Sequence, residues 1–448
     1  MYSLNKHAAL LIAGLLCSCS TYQPKPLSTQ FSLPRTIPHV LMEQQRSVAT
    51  LRVHPFDPDQ GLAMDDVAML AVLNNPELKI ARDDAGLAHA QAFAAGLLPD
   101  PQLALSSDVS NTGGPGSTKA YSAGLSYDLM ALIAYGAADA AAQAEHKQAD
   151  MNLLWQEWQV IARARLLYVK LICAKKMTTL LEQNRSILEE RVSHNQQAFD
   201  KHYIAADVLL PEVTALQELQ KQSNDLERQL NQWQHELAAL LGLSPQAKVL
   251  LQEAVGEPDL LPALDDEAIS RDALPLVQRR PDLLALQSGY DAQDQRYRAS
   301  ILAQFPALNV GFTRARDSGG IYSNGLGVTL SLPLLNRNRG TIAVELASRD
   351  KLRDEYQQRL DMANSDIHQL LSDEHINRRQ LSEITAALPQ FSAMAEHSAV
   401  AYANHNFDGL VYANARSTLM AKQIEALSLQ QAMLEQRIVL LTLTGQNN

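Results

Sequence analysis

Few side chains in this 448-residue chain are spaced for chemistry. No Gly-rich phosphate loop, no zinc-binding spacing and no nucleophile with a base and orienter is apparent, so no catalytic residue and no enzyme activity are expected. The three cysteines, Cys17, Cys19 and Cys173, form neither a pairing framework nor a metal motif. The twelve histidines are scattered and read as solvated or interfacial rather than as ligands. The methionines form no cluster at ligand spacing. The expectation is therefore no metal site and no cofactor.

The one chemical event the sequence points to is a modification of Cys19. Lys6 and His7 precede an apolar run from Ala8 to Leu16, too short to span a bilayer but suited to the h-region of a signal peptide. Leu16-Cys17-Ser18-Cys19 resembles a bacterial lipobox, with an apolar residue three before Cys19 and a small one just before it. Residues 1–18 are then a lipoprotein signal peptide, and Cys19 carries covalent lipid on its thiol and amine. Several acyl chains, each worth about 0.8 kcal/mol per buried CH₂, anchor stably. Ser20, where inner-membrane lipoproteins have Asp, resembles an outer-membrane sorting signal. No later stretch has eighteen apolar residues in a row, so no transmembrane helix is expected.

Composition narrows the elements that remain. Charged residues make up 19% and hydrophobic ones 46%, which excludes general disorder. Aromatics are only 5%, and the abundance of Ala and Leu suits helices packed along their length. The net charge of −11 argues against a nucleic-acid partner.

The chain repeats itself. Pro76, Leu78, Ala94, Leu97, Pro101 and Leu103 recur at constant spacing as Pro281, Leu283, Ala299, Leu302, Pro306 and Leu308. Residues 19–60 form an extended, Pro-rich segment. Residues 61–243 form the first repeat, 244–275 an irregular acidic connector with one short helix near Asp266 to Arg271, and 276–448 the second repeat. Each repeat reads as helix, β-hairpin, very long helix, turn, helix.

In the first repeat the helix from Met64 to Leu98 restarts at Pro76. The hairpin spans 101–129, with strands of about nine to ten residues separated by Gly113-Gly114-Pro115-Gly116. Leu103, Leu105, Leu125 and Tyr127 share an apolar face, opposite small polar residues. Ala137 to Leu210 holds neither Gly nor Pro, and Gly136 reads as the turn before the long helix. Asp207 reads as the N-cap of the next helix, with Pro211 in its first turn and Gly242 at its end. In the second repeat the helix runs from Leu276 to Gln304 and the hairpin spans 306–332, with Arg314 to Tyr322 as its loop. Gly340 precedes a long helix from Thr341 to Ala403 with a bend at Pro389, and Gly445 is the counterpart of Gly242.

Long helices of about 60 residues reach roughly 90 Å. Each half is thus expected to hold two parallel rods, one continuous and one spliced end to end. The strands have the length and alternation of bilayer-spanning strands, which must close into a barrel because unpaired edges are intolerable in lipid. Four strands cannot close alone, so the chain must oligomerise.

These features together resemble the TolC-type outer-membrane efflux proteins, over essentially the whole mature chain. The wording that carries the resemblance is Asn74-Asn75-Pro76-Glu77-Leu78, Leu97-Leu98-Pro99-Asp100-Pro101, Arg279-Arg280-Pro281-Asp282-Leu283 and Leu330-Ser331-Leu332-Pro333-Leu334-Leu335-Asn336. The first half leans towards the heavy-metal exporter branch, although the lipobox is shared with many drug-efflux channels.

The resemblance implies a mainly α fold with some β. A long-helix periplasmic barrel is joined to four membrane strands per chain, and a homotrimer completes a twelve-stranded β-barrel. It implies passive conduction from a periplasmic adaptor (a membrane fusion protein) and an inner-membrane RND-type or other pump to the exterior. Pro101 and Pro306 then mark the crossing from helix to membrane strand. Two helix–turn–helix tips face the adaptor: Asp200, His202, Tyr203 and Asp207 on one, and Phe407, Asp408, Gly409 and Leu410 on the other. Asp200, Asp207 and Asp408 are expected to ring the closed end of the pore, although each also reads as a turn or cap residue. Two departures stand out. Ala134 and Tyr135 occupy the positions of Asn338 and Arg339 in the second half, and His202-Tyr203 stands where the first tip usually has Gly. A channel for type I protein secretion and a non-channel coiled-coil lipoprotein remain as alternatives.

Overall fold

The computed structural model describes residues 22–37, 58–109, 118–252, 274–404 and 409–445. Cys19, Phe407 and Asp408 lie outside these residues, as do the short helix expected near 266–271 and most of the first hairpin loop.

The same order of elements occurs twice along the chain. The first comprises α1 (Met64–Asn74), α2 (Pro76–Ala95), β1 (Gln102–Asp108), β2 (Ala120–Asp128), α3 (Leu129–Asp200) and α4 (Ala206–Leu240). The second comprises α5 (Leu274–Arg279), α6 (Pro281–Leu302), β3 (Ala307–Arg316), β4 (Tyr322–Ser331), α7 (Arg339–Ala403) and α8 (Gly409–Thr444). Pro76 and Pro281 each open a helix at a position where the missing N–H costs nothing. Among the described residues no helix is long and apolar enough to cross a membrane.

The two continuous rods are α3, with 72 residues, and α7, with 65. At 1.5 Å per residue they span about 108 and 98 Å. Near the sheet the helices pack side by side as α2, α3, α6, α7; towards the tips the order is α4, α3, α8, α7. The helices α1 and α2 therefore continue the line of α4, and α5 and α6 that of α8.

Both splices use a glycine. Gly242 adopts φ +64° and Gly445 φ +73°. A Cβ at Gly242 would stand 2.5 Å from the Asn74 carbonyl oxygen, and one at Gly445 would stand 2.7 Å from Arg279 Cβ. Each glycine thus ends one helix in a left-handed turn while touching the end of the helix stacked on it. Asn75 ties the first splice: its side chain donates to Leu240 O at 3.1 Å and accepts from Leu78 N at 2.9 Å.

The main hydrophobic core lies at this level. Val67, Leu70 and Ala71 of α1, Ile161, Ala164 and Tyr168 of α3, Leu237 of α4 and Ile438 of α8 are all buried there. The extended segment 22–37 is largely exposed, and its Pro34 carbonyl accepts from Ser244 N.

Four expectations need correction. Gly136 is inside α3, because Asp128 caps that helix earlier: its carboxylate accepts from Met130 N at 2.9 Å and Ala131 N at 3.3 Å. Tyr135 therefore sits on the helix and donates to Gly96 O at 2.8 Å. Asp207 is not the cap of α4. Ala205 holds that position without a side-chain bond, and Asp207 lies in the first turn, where its charge suits the helix dipole. Pro211 consequently falls inside α4. Finally, β1 has only 7 residues, whereas β3 continues to Arg316 into the expected loop.

Gly242→Ala is expected to lower stability by at least about 1–2 kcal/mol, from the left-handed backbone alone. Gly86→Ala, within α2 where an added Cβ meets nothing within 4 Å, should be neutral or stabilising by up to about 1 kcal/mol. Thermal unfolding of the two variants checks the contrast.

Tyr168 supplies a pH test. Its buried hydroxyl donates to Gln252 O at 2.7 Å. Burial first, and the Asp66 carboxylate second, raise its pKa above the ordinary 10.0. The fold thus favours the neutral phenol, and this contribution is intact below the unfolded pKa and lost as pH rises through the folded one. Tyr168→Phe should cost about 1 kcal/mol near neutral pH. The gap from the parent should narrow above about pH 10.

Candidate functional site

Two regions stand out, the sheet at one end of the helices and the tips at the other. All four strands form one antiparallel sheet in the order β1-β2-β3-β4. The strands begin at Gln102 and Ala307, each the residue after Pro101 or Pro306. A proline there ends the preceding irregular segment and removes no ladder hydrogen bond.

The register sorts the side chains onto two faces. Leu103, Leu125, Phe312 and Leu326 stand in one cross-strand row. Tyr127, Val310 and Val328 form the next row, followed by Leu308 and Leu330. On the same face, towards the hairpin loops, lie Arg314 and Asn324, and then Tyr121, Arg316 and Tyr322. The opposite face carries Ser106, Ser122, Ala315 and Ser323, then Ala104, Gly124, Thr313 and Gly325, then Ser126, Gly311 and Gly327. One face is therefore apolar with an aromatic and basic margin, and the other is small and polar.

Large apolar side chains on this sheet are exposed: Leu326 by 83%, Leu105 by 72% and Leu103 by 66%. The large apolar side chains of this face stay exposed, and the main contact of a helix with the sheet is that of α3 with β3. The outer strands β1 and β4 are each paired on one side only. Ten-residue strands tilted by about 40° rise roughly 25 Å, the height of the apolar band of outer-membrane barrels.

At the other end, α3 closes on a Schellman turn. His202 N donates to Phe199 O and Tyr203 N to Ala198 O, both at 2.8 Å. His202 takes φ +60° there, a conformation better suited to glycine. Asp200 ends α3 and accepts from Gln196 at 2.9 Å. Tyr203 is exposed, Asp207 is in the first turn of α4, and Gly409 and Leu410 begin α8.

A polar cluster just above this tip was invisible in the sequence. The buried Arg191 of α3 pairs with the buried Glu212 of α4. Glu212 also accepts from Asn195 Nδ2 at 2.6 Å. The Arg191 guanidinium lies 5.9 Å from the ring centroids of both Tyr402 and Tyr412, which stack on each other at 5.5 Å. Its Nε and Nη1 have no hydrogen-bond partner, and both rings lie within cation–π range of the guanidinium. Arg191 thereby joins the α3–α4 tip to the α7–α8 tip. Only the helical spacing of Arg191 and Asn195 was readable; their partners are tertiary.

One group of histidines lies at a helix–helix interface. His89 of α2 meets His146 and Asp150 of α3, with their donor atoms within 4.8 Å of one another. The i,i+4 pair His146 and Asp150 was legible in the sequence, whereas His89 joins it only through the packing of α2 on α3.

No known family profile and no curated protein matches this sequence. Solved structures do match in fold. A membrane protein from Pseudomonas aeruginosa superposes with a TM-score of 0.74 at 18% identity, over 95% of this chain and 99% of its own. The CmeC outer membrane channel of Campylobacter jejuni gives 0.73 at 15% identity, over 96% and 95%. CusC, described for its folding and transmembrane channel formation, gives 0.71 at 17% identity, over 94% and 99%. The mainly helical fold with a four-stranded sheet is thus the fold of solved outer-membrane channels.

Glu212→Ala would leave Arg191 buried without its counter-charge. It should cost about 3–5 kcal/mol and speed amide hydrogen exchange at the ends of α3 and α4. Exchange unchanged from the parent would mean that the pair does not hold the tip.

Proposed function

We propose that this chain is the outer-membrane channel of a tripartite efflux system. It passively conducts substrates delivered by a periplasmic adaptor and an inner-membrane pump of RND or other type. The observation that carries the reading is the sheet: an apolar face whose large side chains stay exposed, and two strands with open edges. In lipid such a sheet persists only when closed. Three copies would give twelve strands, above the eight of the smallest such barrels, with the small polar face lining the lumen.

In this reading the long helices continue the channel through the periplasm, and Cys19 carries the lipid that fixes the chain to the outer membrane of a Gram-negative cell. The tips, with Asp200, His202, Tyr203, Asp207, Phe407, Asp408, Gly409 and Leu410, meet the adaptor. A threefold ring of Asp200, Asp207 and Asp408 would favour cations at the constriction and make conduction sensitive to salt. The likeness in fold to solved outer-membrane channels supports this reading over a non-channel coiled-coil lipoprotein. Type I protein secretion uses the same architecture and is the second reading. It requires a secretion ATPase rather than an RND pump as the neighbouring gene product.

Purified protein should migrate as a heat-modifiable trimer and conduct in planar bilayers. A monomer that never conducts would sink the proposal. Cys19→Ala should abolish acylation yet leave trimer formation and conductance intact.

A further inference from the structure

We propose that His89, His146 and Asp150 bind a divalent late transition-metal ion of the zinc type. The site stands on these three side chains and does not depend on the channel reading.

The geometry is that of convergent donors rather than chance proximity along one helix. His146 and Asp150 are one turn apart on α3, so both project from the same face. His89 reaches them from α2. Its Nε2 lies 2.8 Å from Asp150 Oδ1, and His146 Nδ1 lies 3.4 Å from Asp150 Oδ2. All three donor atoms fit within 4.8 Å. A tetrahedral ion with bonds of about 2.0–2.1 Å holds its ligands about 3.3 Å apart, so small side-chain adjustments bring the three onto one centre. The imidazole rings stack nearly parallel, with centroids 3.8 Å apart and planes at 18°, so one ring turns about its side-chain torsions for both in-plane lone pairs to meet one ion.

The donor set decides the ion. Two imidazoles and one carboxylate suit Zn²⁺, Cu²⁺ or Ni²⁺. Calcium and magnesium prefer all-oxygen sites. Copper(I) prefers thiolate or thioether sulfur, which this group lacks. The three side chains are about 40% exposed, so an ion enters from solvent. A hollow beside the two histidines is lined by Ala92, Phe93 and Gln143. Among the described residues this is the one such convergence of three His, Cys, Asp or Glu side chains. A bound ion would staple α2, part of a spliced rod, to α3, the continuous one.

The experiment uses the full chain in detergent, purified without a polyhistidine tag and stripped with chelator. Equilibrium dialysis against Zn²⁺ should find one ion per chain. His89→Gln or His146→Gln should weaken it at least tenfold, with far-UV circular dichroism unchanged. Co²⁺ should give a visible ligand-field band in the parent that disappears in the double variant. His89→Cys, which replaces one ligand by another, should keep the ion and add a thiolate charge-transfer band. Zn²⁺ should raise the melting temperature of the parent but not of the double variant. Absence of stoichiometric Zn²⁺ in the parent would overturn the proposal whatever the variants do. Equal binding by parent and double variant would overturn it too. So would a destabilised double variant alongside a parent whose melting is indifferent to Zn²⁺, because the three residues would then be only an ion-paired clasp.

Discussion

The backbone N–H and C=O groups along the outer sides of β1 and β4 have no partner within the sheet. That constraint governs the rest of the molecule. Water can satisfy such edges, but hydrocarbon cannot, and the apolar row Leu103, Leu125, Phe312 and Leu326 makes water the wrong neighbour for one face. In the proposed channel, other strands on each edge and lipid on one face would satisfy both demands at once. The small residues of the opposite face, Gly124, Gly311, Gly325 and Gly327 among them, would bring no bulk to the interior if the sheet closed. The sheet of a single chain is therefore open at both edges, and the helices below it hold the chain together.

They do so at the splices, and the two halves solve the same problem differently. In the first half, α1 has 11 residues and is buried almost throughout, and the side chain of Asn75 caps α2 while bonding α4. In the second half, α5 has 6 residues and a small cluster of Leu276, Ile367 and Leu440 replaces the large core. Charge makes up part of the difference. Arg280 forks onto Asp282 at 3.0 and 2.7 Å, and its guanidinium lies 5.3 Å from the Trp155 ring centroid. Arg359 of α7 approaches the same carboxylate at 3.3 Å. A fork of this kind orders its neighbours more than it stabilises them, because burying both charges offsets much of their attraction.

The sequence revealed most of this order because its signals are local. Prolines open α2 and α6 and precede β1 and β3, glycines end α4 and α8, and alternation separates the faces of the strands. One error arose where a capping side chain outranks a helix breaker. Asp128 starts α3 before Gly136 can interrupt it, and an isolated glycine inside a helix costs only about 1 kcal/mol. His202 in a left-handed turn was signalled only by the absence of the usual glycine. What no local pattern could show are the groups assembled across helices. Arg191 with Glu212, Tyr402 and Tyr412 draws on four different helices, and His89 joins His146 and Asp150 only because α2 lies along α3.

Burial is unevenly distributed along the length of the rods, and this bears on which end can move. The large core lies at the level of Tyr168, whereas towards the tips the buried apolar cluster shrinks to Leu181, Leu188 and Leu219. Beyond these, the two tips are joined by the Arg191 cluster rather than by a comparable apolar core. A segment with few buried apolar contacts opens at a lower free energy than the body it extends from. A buried ion pair flanked by stacked rings also has a discrete alternative, since both charges are solvated once the helices part. Apolar packing at the splices resists separation in proportion to the area exposed. The polar join at the tips instead regains hydration as it opens, and that difference locates the compliant end of the molecule at the tips, away from the sheet.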